Sequence, residues 1–247
     1  MQAFVRLLFF VSLALFMAAL WFGEALPEPK AVREELLAEP LQRPREAAPF
    51  NTRMGGVEYR VNPRYTYDLY GVVVSRHDAA AWWDYIHKEW NDNLNVVDLC
   101  IVWGDNLMRD AYRSMSYSHD QWTCWFSTNS TEVMAGFDMT AISNNHMITD
   151  DPKMAAALRS ARVGDQVHFR GYLADYGVLK NGAVASQRVS STVREDTGNG
   201  ACEVVYVESF EILKEGGGFW RRFKWLFAGL LGFSVIAWFL LPARVYR

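Results

Sequence analysis

The residues best suited to chemistry lie in one run near the end of the chain, Asp196-Thr197-Gly198-Asn199-Gly200-Ala201-Cys202-Glu203. A cysteine becomes a useful nucleophile when a base stands beside it in space. His146 and His168 are the imidazoles that could serve Cys202, and Asp196 adds a carboxylate at the other end of the run. The amides of Thr197, Gly198, Asn199 and Gly200 could also cradle an anion or a sugar, as a nest of N–H groups does. Against both ideas, the run lacks the lysine and hydroxyl of a phosphate loop. A tight turn between two strands, with Gly198 and Gly200 at positive φ, needs the same residues. Buried strand cysteines are also generally inert. Cys202, His146 and Asp196 are therefore catalytic candidates weighed against a plain turn.

A second polar group, Asn144-Asn145-His146, is expected on a loop. His146 could share a metal with His168 or His119, but no His-x-His or His-x-x-x-His spacing supports this, and no cysteine pair has Cys-x-x-Cys spacing. Asp98, Asp105 and Asp110 do not match the alternating acidic loop that holds calcium, and they read as turn and capping residues. No metal or cofactor is assigned. Trp103, Trp122, Trp125 and Tyr117 suggest an aromatic stacking surface. The ligand-binding candidates are Trp103, Asn145, His146, Asp196, Thr197, Asn199 and Glu203. Between residues 56 and 213 there are 13 Lys and Arg against 21 Asp and Glu, a net charge of −8. That sign opposes phosphate neutralisation and argues against nucleic acid.

The strand expected to organise these groups is Val163–Tyr176, where Val167, Phe169 and Leu173 share one parity and Gln166, His168, Arg170 and Tyr172 the other. Such alternation suits a strand with one face in a core. Gly171 marks a bend or a close backbone approach. Further strands are expected at Glu58–Val61, Tyr67–Ser75, Val96–Trp103, Ala183–Ser191 and Cys202–Phe210. Asn181-Gly182 is a hairpin turn, and Met115–Tyr117 and Trp122–Phe126 form a second hairpin. A helix capped by Asp78 should reach Trp90, with Trp82, Trp83, Ile86 and Trp90 on its core-facing side. Pro152 opens another helix. The pattern predicts a mainly β domain with minor α content. Its expected form is a small, partly open Greek-key barrel of the oligonucleotide/oligosaccharide-binding (OB) type. A small α+β sandwich is the alternative.

Two apolar blocks flank this domain. Residues 4–22 and 225–241 each approach the roughly 20 residues a helix needs to cross a bilayer. Arg6 and the bulky Leu20-Trp21-Phe22 after Met17-Ala18-Ala19 favour an uncleaved anchor over a signal peptide. Arg6 on one side and Glu24 and Glu28 on the other put the N-terminus in the cytoplasm, whereas Arg221, Arg222 and Lys224 pull the opposite way. The first helix usually decides, which gives an inner (plasma) membrane protein with an extracytoplasmic domain and both termini cytoplasmic. Residues 24–55, with five of the eight prolines, read as a semi-stiff spacer. In an oxidising compartment one disulfide can form among Cys100, Cys124 and Cys202; Cys100 with Cys124 is the preferred pair of three.

Asp98-Leu99…Trp103-Gly104, Trp122…Trp125-Phe126, Asn145-His146 and Asp196–Glu203 together resemble a family of uncharacterised bacterial membrane-associated proteins. The resemblance covers roughly residues 65–208, rests chiefly on the last motif, and departs from the family's pattern at Met147-Ile148-Thr149. It implies membrane association and lends no catalytic residue. The reading that results is a non-enzymatic binding or scaffold module of the envelope, with the bilayer, another envelope protein or a homo-oligomer as partner. The alternatives are a hydrolase or transferase using Cys202 and His146, and a single-stranded nucleic-acid binder.

Overall fold

The computed structural model describes residues 2–45, 47–198 and 201–241. It divides into a helical pair from the two chain ends and a β-rich unit, Leu26–Lys214. In chain order the elements are α1 (Gln2–Phe22), β1 (Leu41–Pro44), β2 (Phe50–Met54), β3 (Val57–Asp78), α2 (Ile86–Glu89), β4 (Asn95–Val102) and α3 (Asp105–Met108). Then come β5 (Ser116–His119), β6 (Cys124–Ser127), α4 (Thr131–Gly136), β7 (Ile142–Ile148) and α5 (Pro152–Ser160). The last are β8 (Gln166–Lys180), β9 (Ala183–Arg188), β10 (Glu203–Lys214) and α6 (Gly218–Leu240).

The expectation of a mainly β fold with two apolar terminal helices holds. β3 pairs with β4, β4 with β7, β7 with β10, β10 with β8, and β8 returns to β3. The mixed sheet thus curls instead of lying flat. Its parallel seam is short, with Glu203–Tyr206 of β10 against Asn145–Ile148 of β7. Register shifts at Pro63/Tyr65 and Val73/Ser75 interrupt the ladders of the long β3, and such irregularities bend a strand and increase its twist. Gly171 is required where β8 meets β10, because a Cβ there would stand 2.0 Å from the Tyr206 carbonyl oxygen. Asn181 and Gly182 have φ of 53° and 80°, as the hairpin turn between β8 and β9 demands.

Leu69, Leu99, Ile101, Met147, Phe169 and Val205 fill the main core and are fully buried, each burial worth about 1.5–3 kcal/mol. Asp151 caps α5 by accepting from Lys153 N at 2.8 Å, and Ala155 and Leu158 turn inward from it. α1 and α6 are long and apolar enough to cross a membrane. They pack together through Phe9 on Trp238 and Phe22 on Trp220, each pair 5.6 Å apart.

Four sequence expectations change. The segment expected as a spacer is folded: Leu36 is fully buried, and β1 and β2 both pair with β3. Its prolines break helix but tolerate edge strands. Gln166, expected on a wet face, is buried because its amide holds this segment, bonding Arg33 N at 2.9 Å and Ala31 O at 2.8 Å. The helix expected over Asp78–Trp90 shrinks to α2, with Trp82 88% exposed and Trp90 52% exposed. The residues that turn inward there are polar, Asp84 and His87, so the aromatic stripe is not core. Finally, Asn144-Asn145-His146 lies on a buried strand, β7.

Candidate nucleophile site

All eight residues of β4 are buried, yet its fourth is Asp98, between Val97 and Leu99. A carboxylate inside apolar surroundings needs partners for its charge. The β4–β7 ladder sets His146 directly opposite Asp98, with His146 Nδ1 2.8 Å from Asp98 Oδ1. Asn95, three residues back on the strand, donates to the same oxygen at 2.9 Å. The β7–β10 ladder then sets Val204 beside His146. Cys202, two residues earlier, falls on the same face, with its thiol close enough to act on the charge of His146. Nδ1 is the ring nitrogen on the Asp98 side.

Asn144 shares that face of β7. Its Nδ2 donates to Trp122 O at 2.8 Å and lies 3.8 Å from Cys202 Sγ, while its Oδ1 is 2.9 Å from His119 Nε2. Sulfur, imidazole, carboxylate and an amide donor therefore converge. Cys202 is half-buried and unbridged, since the disulfide is Cys100–Cys124, the pairing preferred from sequence. Cys202, Asn144 and Asp196 open on one cleft of about 540 Å³.

The polar line continues inward. Asn95 Nδ2 is 3.1 Å from His87 Nε2; His87 Nδ1 and His77 Nε2 each stand 2.6 Å from Asp84 Oδ2. The Asn95 amide orientation assigns the proton of His87 to Nδ1, which donates to Asp84. His77, Asp84 and His87 also bring three ligand-type atoms within 4.8 Å of one another and are the residues that could hold a metal. Their mutual hydrogen bonds already occupy the atoms concerned, so a cation would have to displace the protons on both His77 Nε2 and His87 Nδ1. Trp122 closes the line from outside, its ring 4.3 Å from that of His87 and 5.4 Å from that of His146. The Arg188 guanidinium lies 3.5 Å over Trp122 and bonds Asp92 at 3.1 Å.

Burial works against a charge on His146, but Asp98 and then Cys202 outweigh it and push its pKa up to about 10. Burial likewise opposes ionisation of Asp98, and His146 with Asn95 holds it below the usual carboxylate range. Asp84 is held low in the same way by His77 and His87. Glu203, next to Cys202, is driven up to about 8 by burial, with Arg194 opposing.

Among the sequence candidates, the structure gathers Cys202, His146, Asp196 and Thr197 at or behind the cleft. Asp196 accepts from Ser191 Oγ. Trp103, Asn145 and Glu203 are interior. Trp103 donates to Glu39 at 3.1 Å, Asn145 to Leu99 O at 3.3 Å, and Glu203 meets Arg194 at 3.3 Å. His168 stands apart with Asp68. Asn199 lies outside the described residues. Asp98 is no turn residue; it sits mid-strand. Sequence reasoning missed Asp98, Asn144, Asn95 and the His77–Asp84–His87 group. A lone carboxylate between apolar neighbours, Val96-Val97 and Leu99–Val102, was the signal for the first.

Fold and site together define a mainly β domain with a free thiol in a cleft beside a buried aspartate–histidine pair, flanked in sequence by two apolar helices of membrane-crossing length. No known family model, curated protein or solved structure matches the chain.

Proposed function

We propose that the chain is a membrane-anchored hydrolase or transferase that carries an acyl group on Cys202. The observation that supports this is Cys202 opening on a cleft with the buried Asp98–His146 pair close behind it. The Cys202 thiol passes its proton to His146 as the sulfur attacks the carbonyl carbon and forms the S–C bond, and the carbonyl electrons move to oxygen. The Asn144 N–H that meets Cys202 Sγ at 3.8 Å in the resting site turns to donate to that oxygen. Collapse expels the leaving alcohol, amine or thiol, which takes its proton from His146. Water or an acceptor nucleophile, deprotonated by His146, then breaks the thioester. Asp98 orients the imidazole and stabilises its charge throughout, the arrangement by which base and orienter activate a nucleophile. General acid–base help of this kind contributes about 10²–10⁴-fold.

The remaining parts of the reading follow from chemistry on either side of the site. The Cys100–Cys124 disulfide suits an oxidising compartment, and with Arg6 and Glu24 it supports a reading with the domain outside the cytoplasm and both termini inside. We read the domain as OB-like, from its strand pairing and from α5 between β7 and β8. The likeness to the bacterial membrane-associated family is carried on the same motifs. A non-enzymatic module would need neither the thiol nor its base.

The test uses full-length protein in detergent with p-nitrophenyl acetate. Cys202→Ala and His146→Asn should each lower kcat/KM by at least about 10²-fold, and mass spectrometry of quenched wild type should find the acetyl group on Cys202. Undiminished turnover in folded Cys202→Ala, judged by its thermal midpoint, overturns the reading in favour of a binding module. Labelling of Lys180→Cys by an impermeant maleimide in spheroplasts checks sidedness.

A further inference from the structure

The cleft has two kinds of wall. Asn144, Asp196 and Thr197 supply polar groups near Cys202, whereas Trp125 and Phe126 from β6, Met134 from α4, Met139 and Ile142 supply apolar surface. Three of these apolar residues remain substantially open to solvent, with Trp125 57%, Met139 41% and Met134 38% exposed. A polar reaction would not need such a wall, and the exposure is costly unless something apolar covers it. Methionines are unbranched and adapt to a flexible apolar ligand better than branched side chains do. At about 540 Å³ the space lies within the range of small-ligand sites.

We infer that the acyl group handled by Cys202 is a long unbranched hydrocarbon chain, lying along Trp125, Met134 and Met139 with its carbonyl at the thiol. This rests on the acyl-transfer reading of Cys202 and adds the substrate class. Such chains are held in the bilayer as esters and reach soluble proteins as thioesters, and both present the same carbonyl and tail. In either case the new bond is Cys202 S–C, the broken bond is carbonyl C–O or C–S, and the departing alcohol or thiol takes the His146 proton.

The experiment compares p-nitrophenyl acetate, octanoate and palmitate on full-length protein in nonionic detergent below substrate aggregation. With roughly a fourfold gain per methylene buried, octanoate should exceed acetate in kcat/KM by more than tenfold. Met139→Trp, which fills the apolar wall, should remove at least ten times more octanoate than acetate turnover. Equal kcat/KM along the series, with turnover still dependent on Cys202, overturns the chain inference and leaves the acyl-transfer reading standing. Loss of Cys202 dependence with every ester overturns both. The source is read by offering alkyne-tagged palmitate either in phosphatidylglycerol vesicles or as palmitoyl-coenzyme A. Hydroxylamine-labile tag on Cys202 from one of them supports the inference and names the source, and tag on Cys202 from neither overturns it.

Discussion

Two aspartate–histidine contacts in this domain have the same length and different surroundings. His146 Nδ1 and His168 Nε2 each stand 2.8 Å from an aspartate oxygen, Asp98 and Asp68 respectively. The first pair is sealed, with side-chain exposures of 7% and 0%, whereas the second shows 16% and 30%. His168 stacks flat on Tyr70 at 3.8 Å, and Asp68 borders a groove shared with Arg43, Arg45 and Arg170. His146 has a thiol close by instead. Charges 4 Å apart interact with about 1 kcal/mol in bulk water and about 4 kcal/mol at an effective dielectric constant of 20. Separation therefore does not mark a reactive pair; exclusion of water and a nucleophile in reach do.

The widest gap between the pairs should come from removing one carboxylate charge without changing its shape. Asp98→Asn leaves His146 buried without its counter-charge and leaves Asn95 facing an amide. We expect a loss of about 3–5 kcal/mol of stability, the range for breaking a buried pair from one side. A fall in kcat/KM of about 10³–10⁴ should accompany it, the scale seen when an orienting aspartate is neutralised. Urea unfolding and ester turnover measure the two effects. Turnover within threefold of wild type would remove Asp98 from the mechanism.

The sealed pair should also write its signature into the pH dependence of stability. His146 is raised from 6.5 to about 10 in the folded chain. The folded state therefore holds a proton that the unfolded chain releases between those values. Its contribution is fully present below pH 6.5 and is lost progressively as pH rises toward about 10. Asp98 is shifted the other way, below 3.8, so its contribution is present above that value and disappears as pH falls through the folded pKa. The stability difference between wild type and the Asp98→Asn/His146→Gln double variant should hence be greatest near pH 5–6 and shrink toward pH 10. A difference that stays flat from pH 6 to 10 would show that the two groups are not charged partners.

How much of this was legible in the sequence depends on whether the signal was local. Gly171, Asn181-Gly182 and Pro152 act through their own backbone, and all three do in the fold what their chemistry requires. Cys202, His146 and Asp196 were legible as reactive types, but only the parallel β7–β10 seam brings the first two together. That seam joins residues almost sixty positions apart, with no periodicity to announce it. Asp98 was misread because aspartate in a loop-rich chain suggests turns, while its neighbours Val97 and Leu99 already spoke for a strand interior. Trp82, Trp83 and Trp90 misled in the opposite sense. Their near-helical spacing suggested a core face, yet Asp84 and His87 take the interior because the buried histidine line needs them.

The smallest effect belongs to the open pair. Asp68→Asn removes a charge that water already solvates in part, and the amide oxygen can still meet His168 Nε2. Tyr70 keeps its stack on the ring regardless. Pairs exposed to this degree contribute about 0–1 kcal/mol, and salt screens them further. The expected outcome is a shift in the urea midpoint worth under 1 kcal/mol, which diminishes in high salt, with ester turnover unchanged. A loss above 2 kcal/mol would mean that the Asp68 charge is coupled to Arg170 or Arg43 in the groove as tightly as Asp98 is to His146. Burial would then no longer separate the two contacts, and the thiol beside His146 would be the one distinction left between them.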